Sequence, residues 1–167
     1  MKLAVDQLFA QAERAVRTHI ETIPDGEYTF VDYAESLTPG LDRLEVHTKV
    51  TVKGSDIHVD FTGTAPQQPA PTNVNLAGAQ SAVHTIIRGL TDPDAPLNDG
   101  AIRPITVTAP EGCMFNPQRP AAIALRYQVS NRANCSVLGA LSKVIPERVI
   151  AASHGGNHVI SFGGINW

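Results

Sequence analysis

The residues whose types and spacing could do chemistry are two histidines, two cysteines and a scatter of loop amides. His154 and His158 flank Gly155-Gly156-Asn157. A spacing of four sets two imidazoles on one helical face, the way zinc enzymes present a ligand pair. Adjacent glycines work against a helix there, and no third ligand stands at a recognisable offset. A polar loop is the plainer reading, and the expectation is no tightly bound metal, with His154 and His158 as the alternative. Cys135 lies in a helical pattern beside Ser136 and reads as a small buried residue. Cys113 follows a Pro-Glu-Gly turn and reads as partly exposed. The two thiols match no Cys-x-x-Cys spacing and make no disulfide scaffold, which fits a reducing, cytoplasmic setting.

The amides form the second pattern. Asn73, Asn75, Asn98, Asp99, Asn131 and Asn134 stand in or beside segments that proline and glycine stiffen, and Asn116 joins them. Held in stiff loops, such groups can orient a polar substrate, so the first six are the substrate-side candidates. The same residue types are ordinary turn formers and helix caps. No catalytic residue is assigned. A nucleotide would have to bind on another polypeptide, because no Gly-x-Gly-x-x-Gly or Gly-Lys-Ser/Thr string follows a strand pattern.

The elements that must carry these groups follow from periodicity. Val5, Leu8, Phe9, Ala12, Val16 and Ile20 recur at helical steps, and Pro24-Asp25-Gly26 ends that helix. Tyr28, Phe30 and Tyr33 suggest a first strand. Leu44 to Lys53 and Asp56 to Phe61 alternate strictly around Gly54-Ser55, a two-residue hairpin signal. That loop sets Val50 opposite Val59 and Val52 opposite Ile57. It also sets Lys49 opposite Asp60, Thr51 opposite His58 and Lys53 opposite Asp56, so both faces agree with one register.

A proline-rich stretch at 64–71 is a possible internal break. Helices are expected over about 76–90 and 130–144, with a short strand over 102–107 between them and a glycine-rich loop and apolar strand at 153–162. The second helix would bury Ala79, Val83, Ile86, Ile87 and Leu90; the third would bury Ala133, Val137, Leu138, Leu141 and Val144. Strands first and helix–strand–helix after indicate an α+β fold, an antiparallel hairpin or sheet packed with about three helices.

Composition sets the outer bounds. At 167 residues the chain is one domain's worth, 43% hydrophobic and 17% charged, so it can bury a core. Lys plus Arg is 13 against 16 for Asp plus Glu, a net charge of -3, which leaves no basic field for nucleic acid. Its apolar runs are far short of a membrane span.

Longer strings go further. Ile23-Pro24-Asp25-Gly26-Glu27-Tyr28, Val59-Asp60-Phe61-Thr62-Gly63-Thr64 and Ala95-Pro96-Leu97-Asn98-Asp99-Gly100 resemble the hydantoinase B/oxoprolinase family. So do Arg103-Pro104-Ile105, Ala109-Pro110-Glu111-Gly112, Leu138-Gly139-Ala140-Leu141 and Pro146-Glu147-Arg148-Val149, in family order. The resemblance covers nearly the whole chain but only the central segment of the family. It implies a B-type subunit of an ATP-dependent cyclic-amide hydrolase, of the hydantoin or 5-oxoproline type. The implied partner is a hydantoinase A-type ATP-binding subunit, with ATP and Mg in the complex and a divalent metal in an N-terminal family region that this sequence does not match. No metal ligand carries over to any position here. The stretch from His154 to His158 departs from the family pattern, which has small and amide residues there. The resemblance therefore implies a fragment or split piece that is inactive alone; whether this chain is itself an enzyme stays open. One alternative is a segment of an acetone or acetophenone carboxylase-type subunit, and another is a non-catalytic assembly module. Self-association is also expected, through the apolar stripe of the first helix, with Leu8 and Phe9 as its bulkiest residues, and through the edge of the Leu44–Phe61 hairpin.

Overall fold

The computed structural model describes residues 2–92, 96 and 98–151. The readings placed on His154, His158 and the strand ending at Phe162 lie outside them. The elements run α1 (Lys2–Ile20), β1 (Gly26–Glu35), β2 (Arg43–Lys53), β3 (Asp56–Asp60), α2 (Leu76–Thr91), α3 (Asp99–Ile102), β4 (Ile105–Thr108) and α4 (Arg126–Leu141). The fold is α+β: one sheet of order β1-β2-β3-β4 with the helices on one of its faces.

The hairpin register is the expected one, with Lys49 opposite Asp60, Val50 opposite Val59, Thr51 opposite His58, Val52 opposite Ile57 and Lys53 opposite Asp56. Gly54 takes the turn at φ +58°, the left-handed region that glycine enters without steric cost. Leu44, Val46, Val50, Val52, Ile57 and Val59 all point to the helix layer and are buried. The opposite face stays polar: His47 bonds Glu45 at 2.9 Å and Lys49 lies 3.7 Å from Glu27. Tyr33 belongs to β1 but has the opposite parity from Tyr28 and Phe30, so it lies exposed under the Arg43 guanidinium at 4.4 Å. β1 and β4 pair with both edges of the hairpin, so neither edge is open for the self-association expected through it.

Three features depart from the sequence reading. First, β3 and β4 pair in parallel, Ile57 opposite Ile105, so the chain between them crosses over through α2 and α3. Second, the expected strand over 102–107 begins late. The Asn98 side chain accepts from the N–H groups of Gly100 and Ala101 and starts a single helical turn instead. Third, α4 begins at Arg126 rather than near Ser130, and its inward residues are Val129, Ala133, Ser136, Val137, Ala140 and Leu141, with Leu138 only half-buried. In α2 the buried set is Ala79, Ala82, Val83, Ile87 and Thr91, with Ile86 and Leu90 partly buried against the core.

In α1 only the second half is covered: Ala12, Val16 and Ile20 are buried, while Leu3, Val5 and Leu8 are exposed. Phe9 is half-buried beneath Arg103 at 5.6 Å, so it does not share the open patch with Leu8. The helix is tied down at that half by charge. Glu13 lies 3.0 Å from Arg17 and 3.1 Å from Arg103, and Arg17 reaches Asp56 at 2.9 Å. The hydrogen bonds from Arg103 and then Arg17 hold the Glu13 carboxyl below its ordinary pKa.

The segment at 64–71 runs along the sheet. Ala65 N–H donates to the Glu45 carbonyl at 2.8 Å, and Pro66 forms a bridge with Cys113. Phe61 meets Phe115 edge to face at 4.6 Å beneath it. This bridge buries Cys113, correcting the exposed reading, and burial pushes its thiol pKa up.

One hydroxyl pair sits in the core between sheet and helix. Thr48 Oγ1 donates to Ser136 Oγ at 2.7 Å, and Ser136 Oγ donates to the Ala133 carbonyl at 3.0 Å. Ser136→Ala strands the buried Thr48 hydroxyl, an expected loss of about 1–3 kcal/mol in urea unfolding. Adding Thr48→Val should recover part of that loss.

His84 supplies a pH dependence. Burial lowers its pKa, and a smaller opposing effect comes from its hydrogen bond to the backbone of Ile105. A histidine that titrates lower when folded stabilises fully above its unfolded pKa and loses that contribution as pH falls below about 6.5. Thermal midpoints should therefore drop between about pH 7 and pH 5, and His84→Gln should flatten that slope.

Candidate functional site

β1 is an edge strand, and α4 packs across it and β2. Residues of even number on β1 face the helix layer, which points Phe30 and Asp32 at α4. Gly139 lets the helix come close: a Cβ there would meet the Phe30 ring at 2.7 Å. Beside that contact a groove of about 320 Å³ opens, within the size range of small-ligand pockets. Its floor and walls are mostly apolar, from Phe30, Leu138, Gly139, Val149 and Ile150, and its polar groups are Asp32, Arg132, Cys135 and Ser142.

The polar wall is one ion pair. Arg132 Nη1 lies 3.4 Å from Asp32 Oδ2, and both side chains are about four-fifths buried (20% and 19% exposed). The other carboxylate oxygen, Oδ1, accepts from the Tyr33 N–H at 2.8 Å, which fixes the carboxylate plane. Arg132 Nη2 reaches Cys135 Sγ at 3.7 Å. Cys135 is thus half-exposed in the groove wall, one step off the buried face of α4, which corrects its reading as a core residue. The edge strand itself is blunted here. The Lys143 ammonium donates to the Thr29 carbonyl, and Asp32 holds the Tyr33 N–H, two groups that an unprotected edge would offer to another strand.

The six amide-type candidates do not converge. Asn73 is fully buried and structural: its Oδ1 accepts from Gln68 N–H at 2.7 Å and its Nδ2 donates to the carbonyls of Gln68, Ala70 and Ala122. Asn75 caps α2 by accepting from Gly78 N–H at 2.9 Å, and Asn98 caps α3 in the same way. Asp99 is exposed and lies 3.5 Å from Arg103. Asn131 and Asn134 stand one turn apart on α4, neither of them lining the groove, and Asn134 Oδ1 is buried without a hydrogen-bond partner. Asn116 donates to the Ala109 carbonyl and shapes its turn.

Sequence reasoning missed Asp32 and Arg132. The usable signal was a charge at an inward position of β1, between Phe30 and Ala34. On the open sheet face, Asp60 titrates below its ordinary value. Burial alone would raise it, but hydrogen bonds from the Thr62 hydroxyl and N–H and the Thr108 hydroxyl overcome that. Among the described residues no group of three His, Cys, Asp or Glu side chains could hold a metal ion, so they do not fit the divalent metal implied for the family.

A family model for hydantoinase B/oxoprolinase matches residues 1–167, the whole chain. The chain belongs to the hydantoinase B/oxoprolinase family. A protein described as the B subunit of a D-/L-hydantoinase, from Pseudomonas sp. (strain NS671), is 36% identical over 98% of this chain. The chain spans 29% of that relative's length. Among solved structures, the ATP-dependent caprolactamase of Pseudomonas jessenii superposes with a TM-score of 0.75 at 24% identity, over 88% of this chain and 26% of its own. A nucleotide-free acetone carboxylase superposes at 0.72 and 16% identity, over 82% of this chain and 20% of its own. At those identities the two structures show that the hydantoinase B-type fold is shared. Among the described residues no helix is long and apolar enough to cross a membrane.

Proposed function

We propose that the chain is a central portion of a hydantoinase B-type subunit in an ATP-dependent cyclic-amide hydrolase, of the hydantoin or 5-oxoproline type. The observation that carries this reading is the end-to-end family match together with the 36% identity to a hydantoinase of the B type. The chain serves as scaffold and substrate-side wall. ATP and Mg are held by a hydantoinase A-type subunit, and the remaining family-length sequence supplies any divalent metal. ATP phosphorylates the amide oxygen, making that carbon electrophilic. Water then adds and the ring C–N bond breaks to leave an acyl phosphate, which a second water hydrolyses to the carboxylate and inorganic phosphate. Inactivity of the chain alone belongs to the same assignment, because the nucleotide and the metal are placed on other segments of the complex.

The reading is tested by assembling the chain with the flanking family segments and an A-type subunit, then supplying hydantoin, 5-oxoproline or acetone with bicarbonate. ATP-dependent ring opening supports the hydrolase. Labelled bicarbonate captured by acetone, with no ring opening, overturns it in favour of the carboxylase class. No turnover of any of the three, with the assembly formed, marks the chain as an assembly module. Self-association belongs to the same proposal. The exposed Leu3, Val5 and Leu8 of α1 form its contact face.

A further inference from the structure

β1 ends the sheet, and its ten residues make it the edge long enough to recruit another strand; β4, at the other end, has four. In an antiparallel pair alternate residues turn both backbone groups away from the neighbouring strand. On β1 the even-numbered residues bond inward, a pattern that the Ser36 N–H continues to the Asp42 carbonyl. Thr29, Val31 and Tyr33 therefore present their N–H and C=O groups outward. Side chains occupy two of those groups. The Lys143 ammonium donates to the Thr29 carbonyl, and Asp32 Oδ1 accepts from the Tyr33 N–H at 2.8 Å. Arg132 pairs with the other oxygen of the same carboxylate, which fixes the acceptor in place. Val31 stands midway between the two occupied groups, and its side chain is 40% exposed on the open sheet face that it shares with Tyr33.

The two occupied groups are related by a symmetry. When two copies of β1 pair antiparallel about a two-fold axis at Val31, Val31 faces Val31 and Thr29 faces the Tyr33 of the second copy. Facing residues of a bonded pair exchange both bonds, so the Thr29 carbonyl would accept from that Tyr33 N–H across the axis. These are the acceptor and the donor that Lys143 and Asp32 occupy within each copy. We propose that Lys143 and Asp32 close β1 against a second copy of this chain, the excluded complex being an antiparallel β1–β1 pair centred on Val31. Lys143 is exposed, so its contact with the Thr29 carbonyl can be removed without disturbing the core.

The test follows hydrogen exchange at the Thr29 and Val31 amides of the full chain as its concentration rises, with mass read by light scattering. In the unmodified chain both amides should exchange as open edge groups at every concentration, even where contacts of α1 raise the mass. Lys143→Met keeps the aliphatic stem and removes the donor. In that variant the two amides should slow by about tenfold or more as concentration rises, with formation of a dimer. Lys143→Arg retains a charged donor and should behave as the unmodified chain. Adding Val31→Lys to Lys143→Met sets two lysines opposite each other at the axis and should restore open exchange. Protection of Val31 in the unmodified chain at rising concentration overturns the proposal without reliance on any variant. So does a Lys143→Met chain, folded by circular dichroism, whose Val31 exchange ignores concentration. A Lys143→Met dimer that protects α1 and leaves Thr29 and Val31 open overturns it as well.

Discussion

Val50→Asp and Val59→Asp are each expected to lower the urea unfolding midpoint more than any other single change in the hairpin. The two valines face each other across the hairpin, both with 0% exposure, under the helix layer. An aspartate at either place puts a carboxylate among apolar side chains. It must ionise without a partner or stay protonated far from its ordinary pKa. Each route costs on the order of 4 kcal/mol or more, against a total stability of about 5–15 kcal/mol for a domain. Lys49→Ala is the control from the same strand. Its side chain is 42% exposed and 3.7 Å from Glu27, a surface pair worth roughly 0–1 kcal/mol. Urea melts followed by circular dichroism should rank the valine variants far below Lys49→Ala. The reverse ranking would contradict the register on which both sheet faces depend.

Gly100→Ala should destabilise almost as much, by about 3 kcal/mol, for a different reason. A Cβ on Gly100 would stand 2.0 Å from the Phe9 carbonyl oxygen and 2.6 Å from its carbon. These are backbone atoms of α1, so the clash cannot be relieved by turning a side chain. The α3 turn must separate from α1, and the Arg103–Glu13 contact across that junction is lost with it. Gly89→Ala in α2 meets nothing within 4 Å and should instead stabilise by about 0.5–1 kcal/mol through helix propensity. Thermal melts in which both glycines respond alike would show that helix propensity, not the α1–α3 approach, decides at Gly100.

The hairpin was legible because two independent patterns, apolar on one face and charged on the other, select the same register. Local signals of that kind stop at the end of a strand. Nothing in the residues around Ile57 or Ile105 announces a parallel pair, since the crossover that joins them is a property of the whole path. The start of β4 was misread because a side chain took over the backbone before it: Asn98 turns those residues into a helical turn. The amides were legible as types and not as roles, because a cap such as Asn75 and a substrate ligand draw on the same short polar side chain. The two cysteines exchanged places for a similar reason. A bridge to Pro66 buries Cys113, and one helical step leaves Cys135 in the groove. Asp32 and Arg132, a hundred positions apart, meet only through the packing of α4 on β1.

Ring opening by the assembled complex, measured with and without this chain, decides whether the chain is a working part of a cyclic-amide hydrolase. With the chain, the flanking B-type segments, an A-type subunit, ATP and Mg²⁺, hydantoin should be converted to its N-carbamoyl amino acid, with one phosphate released per ring opened. Omitting the chain should abolish both. Ring opening that proceeds equally well without residues 1–167 would contradict the assignment.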